Sequence, residues 1–245
     1  MNINQKLIRA AEFNPTEKSH KLTVLSMCQQ IEKQQITLPL YQRDMSWNLH
    51  KCISLLLLGK APVSPLSVNA INDLQDYVPQ VSFITREIVK DMSRTQISIV
   101  DGQQRLTTNY KAYTDSEDFR NIVLDLIKGR FLLVEGAIER YQIPVGKLLN
   151  KEDSVFYSYV MNSKYLRKEN VLPVLLQCRT KIRNYYYTIN QADDLSEDEQ
   201  IEWFEVLNNA GSRVSALQMR FSKMKIHGID IYTQYTNIFR DRLLE

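Results

Sequence analysis

The spacing of apolar residues divides the chain into short strand-like and helix-like segments. Alternating apolar and polar residues predict strands, and apolar residues three or four positions apart predict helices. The strands predicted in the first half are residues 36–38, 66–71 and 96–100. The helices predicted there are residues 21–33, 49–58 and 102–113, with Gly59 as a left-handed cap after the second.

The second half of the chain has a different pattern. Residues 122–127 and 130–134 flank Lys128-Gly129 and predict a hairpin. Beyond about residue 135 the apolar spacing becomes mainly helical, with one strand-like run, Tyr185–Tyr187 and its neighbours. A capping box at Ser196–Glu199 predicts the start of a further helix. The pattern therefore predicts an α+β fold, with a mixed sheet and helices followed by a mainly helical extension.

Composition restricts the class of protein more than the function. The chain has 245 residues, 44% of them hydrophobic and 24% charged, as in an ordinary folded protein. A formal charge of only +3 means that any contact with nucleic acid must come from local patches. The three cysteines form no CxxC pair, and no apolar run is long enough to cross a bilayer. We expect a cytoplasmic protein without membrane partners.

The junction Asp101–Arg105 carries the strongest chemical signal. It lies between a predicted strand and a predicted helix, where backbone N–H groups and the helix dipole attract an anion. Gly102 permits close backbone approach, and Arg105 falls in the first turn, where a cation opposes the dipole and needs a negative partner. A structural alternative stays open, because Asp101 and Gln104 by themselves form a capping box.

Two further segments hold candidate binding residues. Tyr41, Gln42 and Arg43 follow a predicted strand in an irregular stretch, where Arg43 suits phosphate and Gln42 suits a base or ribose. The alternative is that Tyr41 and Trp47 are core aromatic residues and Arg43 a surface charge, and composition alone favours it. The stretch at residues 208–211, which begins with Asn208, is typical of a helix–helix connection, although its amides suit a pocket.

Several familiar chemistries leave no trace in the sequence. There is no GxxxxGK[ST] loop of a P-loop NTPase and no GxSxG nucleophile elbow. The three histidines, His20, His50 and His227, are scattered and form no HExxH or HNH-like cluster.

Three segments together resemble a known family. They are Leu38-Pro39-Leu40-Tyr41-Gln42-Arg43 with Trp47, then Ile99-Val100-Asp101-Gly102-Gln103-Gln104-Arg105-Leu106-Thr107-Thr108, and finally Trp203-Phe204-Glu205-Val206-Leu207-Asn208-Asn209-Ala210-Gly211 with Ser215. In content and order they are similar to the amino-terminal domain family of GmrSD-type restriction endonucleases. The Asp-Gly-Gln-Gln-Arg box is the most specific of the three.

The resemblance implies a ParB/sulfiredoxin-like nucleotide-binding core over residues 1–135. A mainly helical extension over residues 136–245 carries the Leu-Asn-Asn-Ala-Gly motif. The resemblance further implies nucleoside triphosphate binding or hydrolysis in a system that restricts foreign, often modified, DNA. Asp101 and Arg105 are then the expected catalytic residues, with Asp101 placing a metal or water. The nucleotide or phosphate ligands expected by resemblance are Tyr41, Gln42, Arg43, Gly102, Gln103, Gln104, Arg105 and Asn208.

The expected cofactors are Mg²⁺ and a nucleoside triphosphate, and the expected partners are DNA and another copy of the chain. Members of the family often continue into a domain with a histidine-rich nuclease motif. These 245 residues contain no such motif, so a separate nuclease subunit is also expected. Two alternatives remain: a DNA-binding adaptor without enzymatic activity, and a DNA endonuclease in its own right.

Overall fold

The computed structural model describes residues 3–42, 49–75, 77–92 and 96–209, together with residue 224. Eight helices and nine strands lie within these residues. The helices are α1 Gln5–Glu12, α2 Val24–Glu32, α3 Leu49–Leu58, α4 Gln103–Tyr113, α5 Val145–Leu149, α6 Asp153–Asn162, α7 Leu172–Arg183 and α8 Glu197–Asn209. The strands are β1 His20–Thr23, β2 Ile36–Pro39, β3 Leu66–Ile71, β4 Gln80–Val81, β5 Gln96–Asp101, β6 Ile122–Asp125, β7 Arg130–Leu133, β8 Gln142–Pro144 and β9 Tyr186–Asp193.

Six strands form a mixed sheet in the order β1-β9-β3-β5-β2-β4, and β7-β6-β8 form a small antiparallel sheet. The pairs β2–β5 and β3–β9 are parallel, and the remaining neighbours of the large sheet are antiparallel. This arrangement confirms the α+β fold. The division at residue 135 stays a prediction, and β9, from beyond it, lies between β1 and β3.

One face of the large sheet is apolar and carries the main core. Leu38, Leu66 and Ile99 are fully buried there, against apolar residues of α2, α3 and α4. Helix α4 itself is unusually polar for a buried helix. Its Asn109 donates to the Tyr187 hydroxyl (3.0 Å) and its Thr108 hydroxyl to the Gln104 carbonyl (2.7 Å), so these buried polar groups are satisfied internally.

The opposite face of the sheet carries a buried polar row. Asn69 on β3 lies beside Ser98 on β5, which lies beside Thr37 on β2. The Thr37 hydroxyl then donates to Gln80 Oε1 on β4 (2.9 Å). Helix α8 packs against β5, and the Leu195 N–H just before it donates to Asn69 Oδ1 (3.0 Å). The row therefore fixes where the start of α8 meets the sheet.

Most predicted elements are confirmed to within a few residues, and helix 49–58 ends at Leu58 as predicted. Two details are wrong. The predicted helix 21–33 is split, because residues 20–23 form β1 and α2 begins only at Val24. Gly59 does not have a positive φ. A Cβ there would instead collide with the Leu55 carbonyl, so close packing accounts for this glycine. No helix among the described residues is long and apolar enough to span a bilayer.

Candidate functional site

The junction between β5 and α4 is built around one glycine. Strand β5 ends at Asp101, and Gly102 precedes the helix with a φ of +102°, which an L side chain rarely adopts. A Cβ at this position would also collide with the side chain of Leu66 and lie 3.2 Å from Arg105 Nη2. Both the backbone conformation and the packing therefore require glycine.

The start of α4 has no side-chain cap. Gly102, not Asp101, is the N-cap residue, and no side chain of the described residues bonds the first-turn N–H groups in a capping position. The first bond into the helix is Leu106 N–H to the Gly102 carbonyl (3.1 Å). The capping box of Asp101 and Gln104 is therefore wrong. This end of the helix keeps the positive end of its dipole and has no acidic residue in its first turn.

Arg105 finds its negative partner within the chain. Its guanidinium donates to the carbonyls of Ser64 and Pro65 (3.0 Å to Pro65) and lies 3.3 Å from Asp101 Oδ2. The Arg105 side chain is 18% exposed and that of Asp101 32%. The predicted need for an anion is thus met by Asp101 in the free protein, while the two carbonyls anchor the arginine to the segment before β3.

The two glutamines of the junction are both turned inward. Gln103 is buried. Both amide atoms of Gln104 are also buried, and within the described residues neither has a hydrogen-bond partner. Leaving such a group unpaired costs about 1–3 kcal/mol. Native structures rarely accept this cost without a ligand, an ion or a functional reason.

Gln42 brings the first predicted segment to the same junction. Its buried amide Nε2 donates to the carbonyls of Ile99 (3.2 Å) and Val100 (2.7 Å), and its own carbonyl accepts a hydrogen bond from Arg86. Gln42 thus holds the segment after β2 against the last residues of β5, next to the turn into α4. Its role as a base or ribose ligand stays a prediction.

Tyr41 is a core residue, as the structural alternative expects of this position. It packs with Val78 and Ile201, and its hydroxyl donates to Gln200 Oε1 on α8 (3.2 Å). Burial raises the pKa of Tyr41, so the hydroxyl stays protonated. Arg43 and Trp47 lie outside the described residues, as does the side chain of Asn208, whose backbone belongs to α8. Their binding roles stay predictions.

A family model described as "GmrSD restriction endonuclease, N-terminal domain" matches residues 24–225. This span includes all three segments and most of the chain. The chain belongs to this family. No curated protein matches it.

Membership in the GmrSD N-terminal domain family confirms the resemblance drawn from the three segments. It identifies the chain as a component of a restriction-like system, and the matched residues include the junction Asp101–Arg105. Within the described residues no three His, Cys, Asp or Glu side chains form a group suited to a metal ion. Asp101 is the carboxylate at the junction itself.

Some groups near the junction Asp101–Arg105 are not predicted by the sequence. The carbonyls of Ser64 and Pro65 hold Arg105, and a backbone carbonyl leaves no signature in residue type. Gln200 on α8 accepts a hydrogen bond from the Tyr41 hydroxyl and donates to the Leu195 carbonyl (2.8 Å), so it links Tyr41 to the start of α8. In the sequence, Gln200 is marked only by its position as the fourth residue of a capped amphipathic helix.

Proposed function

We propose that this chain binds the phosphates of a nucleoside triphosphate at the start of α4, as the nucleotide-recognising component of a restriction-like defence system. The observation that carries the proposal is the Gln104 amide, buried without a partner in the described residues beside a helix start that has no side-chain cap. Family membership supports the restriction part of the proposal.

The chemistry of the junction suits phosphate oxygens. First-turn N–H groups and the helix dipole favour a negative charge, and no acidic residue in the first turn of α4 opposes it. Gly102 has no Cβ to obstruct the approach of a ligand to the backbone. The Gln104 amide then donates to a phosphate oxygen and gains a hydrogen bond that no described residue supplies.

Arg105 is poised to exchange one partner for another. The Ser64 and Pro65 carbonyls hold the guanidinium in place, and its contact with Asp101 is longer than that with Pro65 (3.3 Å against 3.0 Å). A phosphate that displaces the Asp101 carboxylate keeps Arg105 charge-paired and leaves the anchoring bonds intact. Arg105 can therefore be paired with Asp101 in the free protein and with phosphate in the complex.

Mg²⁺ fits this site as an ion that arrives on the nucleotide. Mg²⁺ in such sites takes one or two carboxylates together with substrate phosphates, and Asp101 is a partly exposed carboxylate at the junction. The ion would neutralise phosphate charge. We propose hydrolysis as a further step. Asp101 orients a water that attacks the γ-phosphorus, the bond from that phosphorus to the β–γ bridging oxygen breaks, the nucleoside diphosphate leaves with that oxygen, and the proton of the water passes to solvent.

The test is a calorimetric titration of ATP and GTP, each with Mg²⁺, into the wild-type chain and two variants. Gln104→Leu and Arg105→Ala remove a proposed phosphate donor and are expected to weaken binding by about tenfold or more. Arg120→Ala, which removes an exposed arginine paired with Glu117, is the matched control and should bind normally.

Gln104→Leu keeps the test decisive if Arg105→Ala folds poorly through loss of its carbonyl contacts. Absence of binding at millimolar nucleotide, or equal binding by Gln104→Leu and wild type, would exclude the site. Steady-state phosphate release then separates an NTPase from an adaptor without enzymatic activity. Turnover that Asp101→Ala abolishes would exclude the adaptor.

A further inference from the structure

Strand β5 contains an irregularity directly before the α4 start. Ser67 of β3 pairs with Asp101, but the next residue of β3, Val68, pairs with Ile99. Val100 is therefore an extra residue, and β5 has a β-bulge there. A bulge bends its strand and changes the direction of the side chains that follow, and bulges are frequent beside functional sites. This one therefore sets the direction of Asp101.

The side chain of Gln42 holds this bulge. Its amide Nε2 donates to the carbonyls of Ile99 (3.2 Å) and Val100 (2.7 Å), so one group bonds both residues of the bulge. The paired residues of β2 and β5 stop one position before Ile99, and the Gln42 side chain there takes the place of a strand. The Val100 carbonyl belongs to the peptide unit that includes the nitrogen of Asp101. Because this unit is planar, the hydrogen bond also restricts Asp101.

We infer, on the basis of the phosphate site proposed above, that Gln42 is a positioning residue of the α4 start. It acts on phosphate binding through the bulge and not by contact with the ligand. Gln42 is 6% exposed, and two carbonyls already occupy its side-chain donor. From the bulge, the effect passes within two residues to Asp101, which pairs with Arg105, and to Gly102, whose φ is +102°.

The position of the bulge matters because Asp101 and Arg105 are held from different sides. Arg105 is anchored to the carbonyls of Ser64 and Pro65, before β3, whereas Asp101 is held by β5. Their 3.3 Å contact, and the exchange of Asp101 for phosphate, therefore depend on where the strand ends. Small displacements of such groups are costly, since a shift of about 1 Å can lower a rate by roughly 100-fold.

Helix α8 holds Gln42 in place through the neighbouring residue Tyr41. The buried Tyr41 ring packs with Ile201, and its hydroxyl donates to Gln200 Oε1 (3.2 Å). On the other side, the Gln42 backbone carbonyl accepts a hydrogen bond from Arg86. The segment that carries Gln42 is thus fixed by contacts to α8 and to the chain after β4. The position of α8 therefore influences the α4 start.

The test compares Gln42→Leu with Gln142→Leu, a matched control in the small sheet. Gln142 is buried to a similar degree (5% exposed) and also makes two side-chain hydrogen bonds, one donated to Asp125 Oδ2 (2.8 Å) and one accepted from the Glu139 N–H (3.0 Å). Both variants should therefore lose similar amounts in melting temperature. Only Gln42→Leu should accelerate amide hydrogen exchange of residues 101–106 without nucleotide, by about tenfold. Only this variant should raise the Kd of ATP with Mg²⁺, also by about tenfold.

A second variant, Tyr41→Phe, keeps the test decisive if Gln42→Leu folds poorly. It removes only the hydroxyl that donates to Gln200 and keeps the buried ring. We expect a smaller change of the same kind, about threefold in the exchange of residues 101–106 and in the Kd.

Three results would overturn the inference. Equal acceleration of exchange by Gln42→Leu and Gln142→Leu would mean a general loss of stability. An unchanged Kd for Gln42→Leu, when wild type binds nucleotide, would mean that the bulge has no influence on the site. Weaker nucleotide binding with unchanged exchange would mean that Gln42 contacts the ligand directly.

The exchange measurement also separates this inference from the phosphate site on which it rests. If wild type binds no nucleotide, the proposed phosphate site fails. Faster exchange of residues 101–106 in Gln42→Leu alone would still support the positioning role, and unchanged exchange would overturn it.

Discussion

Two helices of this protein, α4 and α8, begin with similar sequence signals. In the folded protein, a capping box closes the start of α8, whereas the start of α4 has no side-chain cap. At α8, the Ser196 N–H donates to Glu199 Oε2 (2.9 Å) and the Glu199 N–H donates back to Ser196 Oγ (3.4 Å), in a complete capping box. At α4, the corresponding pair, Asp101 and Gln104, makes no such exchange, because Gly102 takes the N-cap position.

The difference follows from the strand that precedes each helix. Asp101 still belongs to β5, where it pairs with Ser67, so its carboxylate is directed to Arg105 rather than to the helix. The first turn of α8 contains three acidic residues, whereas that of α4 contains none. A helix start that is closed by its own side chains has a structural role. One that is left open keeps the donors and the dipole that a phosphate ligand requires.

The largest expected change in unfolding free energy comes from adding a side chain at the uncapped start of α4. Gly102→Ala places a Cβ against Leu66 in a left-handed conformation, so we expect the free energy of unfolding to fall by about 2–5 kcal/mol. Gly129→Ala is the matched control, because Gly129 also has a positive φ, of 62°, but nothing within 4 Å of its Cβ position. That variant should lose only about 1 kcal/mol.

Urea denaturation of the two glycine variants and wild type gives both differences in one experiment. Similar losses in the two variants would show that backbone conformation alone accounts for Gly102. The close packing of Leu66 against the junction would then have no energetic weight.

Two glutamines whose side-chain amides are buried extend the comparison from the backbone to side chains. Gln200 of α8 accepts from the Tyr41 hydroxyl and donates to the Leu195 carbonyl, so Gln200→Leu should lower the unfolding free energy by about 1–3 kcal/mol. Gln104 of α4 has no partner among the described residues, so Gln104→Leu should leave stability unchanged or raise it by up to about 1 kcal/mol.

The same denaturation measurement, made without nucleotide, distinguishes these outcomes. A stability gain combined with lost triphosphate binding is typical of a group kept for function at a cost in stability. Equal destabilisation by both leucine substitutions would mean that Gln104 already has its partners in the free protein, and the comparison would fail.

The sequence predicts elements whose signals are local. The end of helix α3 and both ends of strand β3 are predicted, because the apolar spacing and the flanking glycine or prolines lie within a few residues. Strand β1 is missed because His20–Thr23 has little apolar alternation of its own. It forms by pairing with Tyr186–Ile189 of β9, far along the chain, and no local pattern carries that information.

The candidate site also has a part that the local sequence predicts and a part that depends on distant contacts. The box Asp101–Arg105 is located by its residue types, yet its geometry is not. The identity of the N-cap depends on how Gly102 packs on Leu66, and Arg105 is anchored by carbonyls some 40 residues earlier in the chain. Residue types therefore identify where the ligand chemistry lies, and tertiary packing decides which groups stay unpaired to perform it.

The smallest expected effect concerns pH, at the closed start of α8. Hydrogen bonds from the Ser196 hydroxyl and backbone N–H lower the pKa of Glu199 in the folded state. A carboxyl whose pKa is lower when folded stabilises the protein above the ordinary glutamate pKa of about 4.3, and that stabilisation is lost as the pH falls through the folded-state value.

Urea titrations at pH 7 and about pH 3 give the difference in unfolding free energy between wild type and Glu199→Gln. We therefore expect wild type to be more stable at neutral pH, and the difference to shrink in acid. Ser196→Ala removes the hydroxyl donor and should reduce the pH dependence as well, at a cost of about 1 kcal/mol at pH 7. A Glu199→Gln difference that stays constant across this range would mean that the carboxylate does not close α8. The contrast between the two helix starts would then reduce to the glycine at position 102.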